Sequence, residues 1–88
     1  MFQFDKQKSA TNKAKHGIDF IEAQALWDNP DYIEIPARTE DEPRFLVVGR
    51  ITGSCWSAVI SYRGPAVRII SVRRSRQSEV DAYEGKGI

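Results

Sequence analysis

Ala66-Val67-Arg68-Ile69-Ile70-Ser71-Val72-Arg73-Arg74 decides how this chain folds. Branched Val and Ile favour extended backbone, because a branched Cβ packs well on a pleated surface. Alternation places Val67, Ile69, Ser71 and Arg73 on one face and Arg68, Ile70, Val72 and Arg74 on the other. Both faces are apolar in the middle, so the stretch is predicted to be an internal strand covered on both sides. Arginines near strand ends usually serve solvation. Held on a rigid strand they are also suited to phosphate oxygens. Strict alternation sets Arg68 and Arg73 on opposite faces unless the strand bulges near Ser71.

Working backwards, Arg63-Gly64-Pro65 turns into this strand from Ser54–Tyr62, where Trp56, Ala58, Ile60 and Tyr62 share a face. Thr52-Gly53 joins that strand to Phe45–Ile51, and Tyr32–Ile35 precedes an acidic turn over Arg38–Pro43. Strands joined by such short turns are antiparallel neighbours. Phe2-Gln3-Phe4 alternates as a strand would but is too short to count.

Helical signals lie at both ends. Asp5 is placed to cap a helix from Lys6 to about Lys15, with Ala10 and Ala14 as a narrow apolar stripe and Gly17 as its left-handed cap. Lys8, Asn12 and Lys15 share a face of this helix, and His16 ends it. Asp19 and Glu22 have the spacing of a capping box for a second helix, with Phe20, Ala23, Leu26 and Trp27 as its buried stripe and Asp28-Asn29-Pro30 as its stop. Ile18 is placed to staple onto Ala23. A last helix runs through Glu84, capped by Ser75 or Ser78, and Gly85–Ile88 is a tail. The expectation is therefore one α+β domain over residues 1–88: two N-terminal helices, an antiparallel four-stranded sheet and a C-terminal helix.

The composition limits the function. Of 88 residues, 41% are hydrophobic and 28% charged, enough for one modest core. No apolar run is long enough to span a membrane, and no signal-peptide block opens the chain, so a cytoplasmic protein is expected. The net charge of +1 conceals blocks of +3 over residues 1–17, −7 over 18–43 and +5 over 44–88. A basic side of this kind is suited to nucleic acid or an acidic partner. Cys55 is alone and reads as an inert thiol; one Cys and one His cannot build a common zinc site. Glu40-Asp41-Glu42 reads as a solvated turn. No phosphate-binding glycine loop is present, so no cofactor is expected. What remains is Lys, Arg, Tyr and one His, a set suited to phosphodiester chemistry without metal. In such chemistry cations would hold the phosphate, His16 or Tyr83 could move a proton, and an RNA 2′-hydroxyl can serve as nucleophile, a reading the composition permits without demanding it.

The order of short motifs resembles the BrnT toxin family. Phe4-Asp5-x-x-Lys8 and Asn12-x-x-Lys15-His16-Gly17-Ile18-x-Phe20-x-x-Ala23 resemble its N-terminal signature. Arg44-Phe45-Leu46-Val47-Val48-Gly49-Arg50 resembles its middle strand. Arg63-Gly64-x-x-x-Arg68-Ile69-Ile70-Ser71-x-Arg73-Arg74, followed by Glu79 and Tyr83-Glu84, resembles its C-terminal half. Phe4 stands where many relatives carry Trp, keeping the aromatic body and losing the indole donor.

The resemblance implies a RelE-like α+β fold and a type II toxin that cleaves RNA without metal. It also implies a BrnA-like ribbon-helix-helix antitoxin, through which alone the complex meets operator DNA. Lys15, His16, Arg50, Arg73 and Tyr83 are the candidate catalytic residues. Lys8, Asn12, Arg63, Arg68 and Arg74 are the candidates for binding RNA. Gly49, ahead of Arg50, offers space for a ligand. The alternative from another class is a non-catalytic partner that binds the antitoxin and co-represses its own operon.

Overall fold

A computed structural model describes residues 1–39 and 41–85. Glu40 of the acidic turn and residues 86–88 of the tail lie outside the described residues. The organising stretch forms β5, Ala66–Arg74. It lies inside the sheet, between β1 (Phe2–Gln3) and β4 (Ser54–Arg63), with β3 (Arg44–Ile51) and β2 (Ile33–Ala37) beyond. β2 to β5 pair antiparallel in succession. At the β3–β4 turn Thr52 and Gly53 both take positive φ, 47° and 84°, matching the twist of the flanking strands.

The four-stranded antiparallel expectation needs correction. The sheet has five strands and is mixed, because β1 pairs parallel with β5, Phe2 opposite Val67 and Gln3 opposite Arg68. A two-residue strand is too short for alternation to mark it. Its place is set by distant contacts: Val67 N–H donates to the Met1 carbonyl at 2.9 Å, and the Phe2 ring meets Trp27 edge-on at 4.8 Å.

The second N-terminal helix is also corrected. After α1 (Lys6–His16) comes a 3-10 helix, Glu22–Asp28. The capping pair forms as read: Asp19 accepts from Ile21 and Glu22 N–H, and Glu22 accepts from Asp19 N–H. Beyond it, however, Phe20, Ala23 and Leu26 recur every third residue. Three residues per turn keep them on one side, and all three are buried. The last helix, α2, is Gln77–Tyr83. Neither Ser75 nor Ser78 caps it. Arg76 holds the cap position, its N–H donating to Glu79 Oε1 at 2.9 Å, while Ser75 Oγ pairs with Ser57 Oγ at 2.8 Å.

The core lies on one face of the sheet. Val47, Trp56, Ala58, Ile60, Ile69 and Val72 pack there against Ile18, Phe20, Ala23 and Leu26. Ile69 and Val72 are three apart, which strict alternation forbids. The cause is a bulge: Val59 pairs with Ser71 but Ile60 with Ile69, leaving Ile70 as the extra residue. The register therefore puts Arg68, Ser71 and Arg73 together on the face opposite the core. That face is only partly covered, and it also carries Ser57, Val59, Leu46 and Ile35.

Candidate functional site

α1 is held by polar rather than apolar side chains. Asp5 accepts from the N–H groups of Gln7 and Lys8 at 2.8 and 3.0 Å, which keeps its carboxyl below the usual range. Gly17, at φ 83°, closes the C-terminus, its N–H donating to the Lys13 carbonyl. Ala10 and Ala14, read as the packing stripe, are exposed. The buried residues of α1 are Ser9 and Asn12. Ser9 Oγ accepts from Phe20 N–H at 2.9 Å. The Asn12 amide donates to the carbonyls of Ile18 and Val72 at 2.8 and 2.9 Å and accepts from Val72 N–H at 3.1 Å. Where β1 stops pairing with β5, Asn12 takes over the bare strand edge. Both amide hydrogens and one acceptor site of Oδ1 are used internally, which fixes α1 against β5.

That clamp creates a cleft of about 480 Å³. Gln7, Lys8, Thr11, Lys15 and His16 line it from α1, and Ile70 and Ser71 from β5; Asp5 and Asn12 complete it. Two ammonium groups and an imidazole thus border one opening beside the bulge. The chemistry available there is anion binding, with a nitrogen base within the same lining.

The other candidates sit elsewhere. Arg73 shares the open face but is engaged: it meets Glu79 through two bonds of 2.8 Å, and Glu79 also accepts from Ser57 Oγ at 2.8 Å. The Arg73 guanidinium, more than its burial opposes, holds the Glu79 carboxyl down at about 2, helped by the Arg76 N–H and Ser57. Arg68 lies on the same face as Arg73, opposite Ser61 in register. Arg74 points to the core face, its guanidinium 5.0 Å over the Trp56 ring. Arg63 pairs with Glu42 at 3.4 Å.

Arg50 and Tyr83 come together, but not in the cleft. Arg50 pairs with Glu84 at 2.7 Å and lies 5.9 Å over the Tyr83 ring. The Tyr83 hydroxyl lies 3.1 Å from Asn29 Oδ1 and 3.0 Å from Asp31 Oδ1; burial and Asp31 raise its pKa. Gly49 does not leave room for a ligand. A Cβ there would lie 3.3 Å from Leu26 Cδ2 and 3.4 Å from Tyr32 Cβ, so its missing side chain admits the chain's own 3-10 helix.

The sequence marks Ser71 only as the place of a possible bulge, and it does not point to Ser71, Thr11 or Gln7 as site residues. Gln7 and Thr11 flank Lys8 and Lys15 on helical spacing, a signal that was available. Ser71 reaches the cleft beside the extra residue Ile70, which no local pattern announces.

Residues 4–79 match the family described as ribonuclease toxin, BrnT, of type II toxin–antitoxin system. The chain belongs to the BrnT family. A search among curated proteins gives no match. The BrnT match takes in all of α1, the bulged β5 and Glu79, so it covers both the cleft and the carboxylate that holds Arg73. A BrnT protein is a ribonuclease toxin with an antitoxin as partner. Among the described residues no helix is long and apolar enough to cross a membrane.

Proposed function

We propose that this BrnT chain cleaves RNA in the cleft between α1 and β5, without metal, and that a BrnA-like ribbon-helix-helix antitoxin neutralises it in the cytoplasm. The observation that carries the reading is the meeting of Lys8, Lys15 and His16 at one opening in a ribonuclease-toxin chain. Lys8 and Lys15 bind the scissile phosphate and offset the charge that builds on its oxygens. His16 takes the proton of the 2′-hydroxyl, whose oxygen attacks phosphorus. The 5′-oxygen leaves and takes a proton from the Lys15 ammonium, giving a 2′,3′-cyclic phosphate and a 5′-hydroxyl. Asn12 positions the helix that carries these groups. Operator DNA is reached through the antitoxin alone.

The test follows growth and the cutting of a defined RNA in chelator. Wild type is expected to cleave, and a 2′-deoxy residue at the cut site is expected to abolish cleavage. Cleavage only with added metal, or cleavage of the 2′-deoxy substrate, refutes the mechanism. A chain that binds antitoxin yet neither arrests growth nor cuts RNA restores the co-repressor reading.

A further inference from the structure

The open face of the sheet carries a feature that the cleft does not use. Val59, Leu46 and Ile35 lie side by side across β4, β3 and β2, each only half-buried and none part of the core cluster. By register and alternation, Arg44, Arg63 and Arg68 stand beyond one side of this aliphatic row, and Arg50 and Arg73 beyond the other.

The chain itself illustrates what such a surface accepts. α2 is docked on the Arg50–Arg73 side by carboxylates: Glu79 grips Arg73 and the following Glu84 pairs with Arg50. Arg44 and Arg68 have no ion-pair partner among the described residues. Beside the row, Ser61 Oγ, opposite Arg68 in register, is buried without a hydrogen-bond partner among the described residues. No aromatic side chain stands in the row, so it offers unpaired bases nothing to stack on. Aliphatic side chains edged by arginines match an amphipathic acidic protein segment instead.

We propose that this row is the docking surface for an acidic, amphipathic segment of the antitoxin, whose carboxylates meet Arg44 and Arg68 as Glu79 and Glu84 meet Arg73 and Arg50. The inference rests on the toxin reading and deepens it. Ser71 pairs with Val59 at the end of the row and also lines the cleft, so a segment seated there stands in the path of RNA to Lys8, Lys15 and His16. Inhibition then follows from occupancy, with no change in the cleft itself.

The experiment uses the full chain and a BrnA-like ribbon-helix-helix antitoxin. Leu46→Glu and Arg44→Glu probe the row, and Ile21→Glu, on a residue 66% exposed outside this face, is the control. Circular dichroism and thermal melts establish folding. If Leu46→Glu fails to fold, Arg44→Glu decides, since that side chain is exposed and has no ion-pair partner among the described residues. Each row variant is expected to weaken antitoxin binding about tenfold or more, and the control by less than about threefold. Free Leu46→Glu is expected to keep cleaving RNA.

Folded row variants that bind antitoxin as wild type does overturn the proposal. Loss of cleavage with antitoxin binding intact assigns the row to RNA and also overturns it. Selective loss of antitoxin binding in a chain that never cuts RNA supports the docking surface while the ribonuclease reading fails. A wild-type chain that cuts RNA but does not bind the antitoxin removes the partner reading and this proposal with it.

Discussion

Replacing Glu79 by Gln removes a charge and keeps the side-chain shape. In the native chain Glu79 is 8% exposed and joins α2 to the sheet through Arg73 and Ser57. Its carboxyl is held at about 2, against an ordinary 4.5, chiefly by the Arg73 guanidinium. A displacement of that size corresponds to at most about 3 kcal/mol of folding free energy. The Arg73 side chain is 25% exposed, so water screens part of the attraction and about 2 kcal/mol is expected. In Glu79→Gln the amide NH2 faces a guanidinium, and one of the two paired bonds is replaced by a donor–donor contact. For a domain of this size the melting temperature should fall by roughly 10 °C.

The pH dependence follows from the depressed folded-state value. The stabilisation is complete above the unfolded pKa near 4.5 and is lost as pH falls toward about 2. Urea titrations of wild type and Glu79→Gln at pH 7, 4 and 2.5 should show a gap in midpoint that narrows with acid, at similar slope. A gap below about 0.5 kcal/mol at pH 7, or one that stays constant down to pH 2.5, refutes the claim that the ion pair holds α2.

Asn12→Ala should destabilise the chain by about 3 kcal/mol in urea, because Ile18 and Val72 lose buried bonding partners; a loss under 1 kcal/mol would mean the clamp is not structural. Gly49→Val should cost about 1–3 kcal/mol by crowding Leu26 and Tyr32, read as a lowered urea midpoint. Lys15→Ala and His16→Ala should each lower RNA cleavage about a hundredfold at unchanged stability, and full activity in both would move the site away from the cleft. The Tyr62 phenol, pushed up to about 12 mainly by its hydrogen bond to Glu34, should titrate closer to its ordinary value in Glu34→Gln, followed by ultraviolet absorbance.

Elements whose signals are local are legible in the chain's own order of residues. Asp5 and Gly17 mark α1 because capping involves neighbouring residues. Thr52-Gly53 and Gly64 mark the turns that make β3, β4 and β5 successive antiparallel partners, and the branched residues of Ala66–Arg74 place β5 inside the sheet. Spacing alone could place Lys8 and Lys15 on one face of α1 and His16 at its C-terminal end.

Tertiary structure decided the rest, because it depends on residues far apart in the chain. β1 exists through contacts with Val67 and Trp27. Asn12 reads as an RNA-binding candidate beside Lys8 and Lys15 until its amide meets Val72, sixty positions away. Arg73 reads as a free cation until α2 folds back and brings Glu79 to it. The bulge at Ile70 turns Arg68 and Arg73 to the same face and brings Ser71 to the cleft. Alternation is a property of a strand alone, whereas register is a property of a pair, and the extra residue belongs to the pairing of β5 with β4.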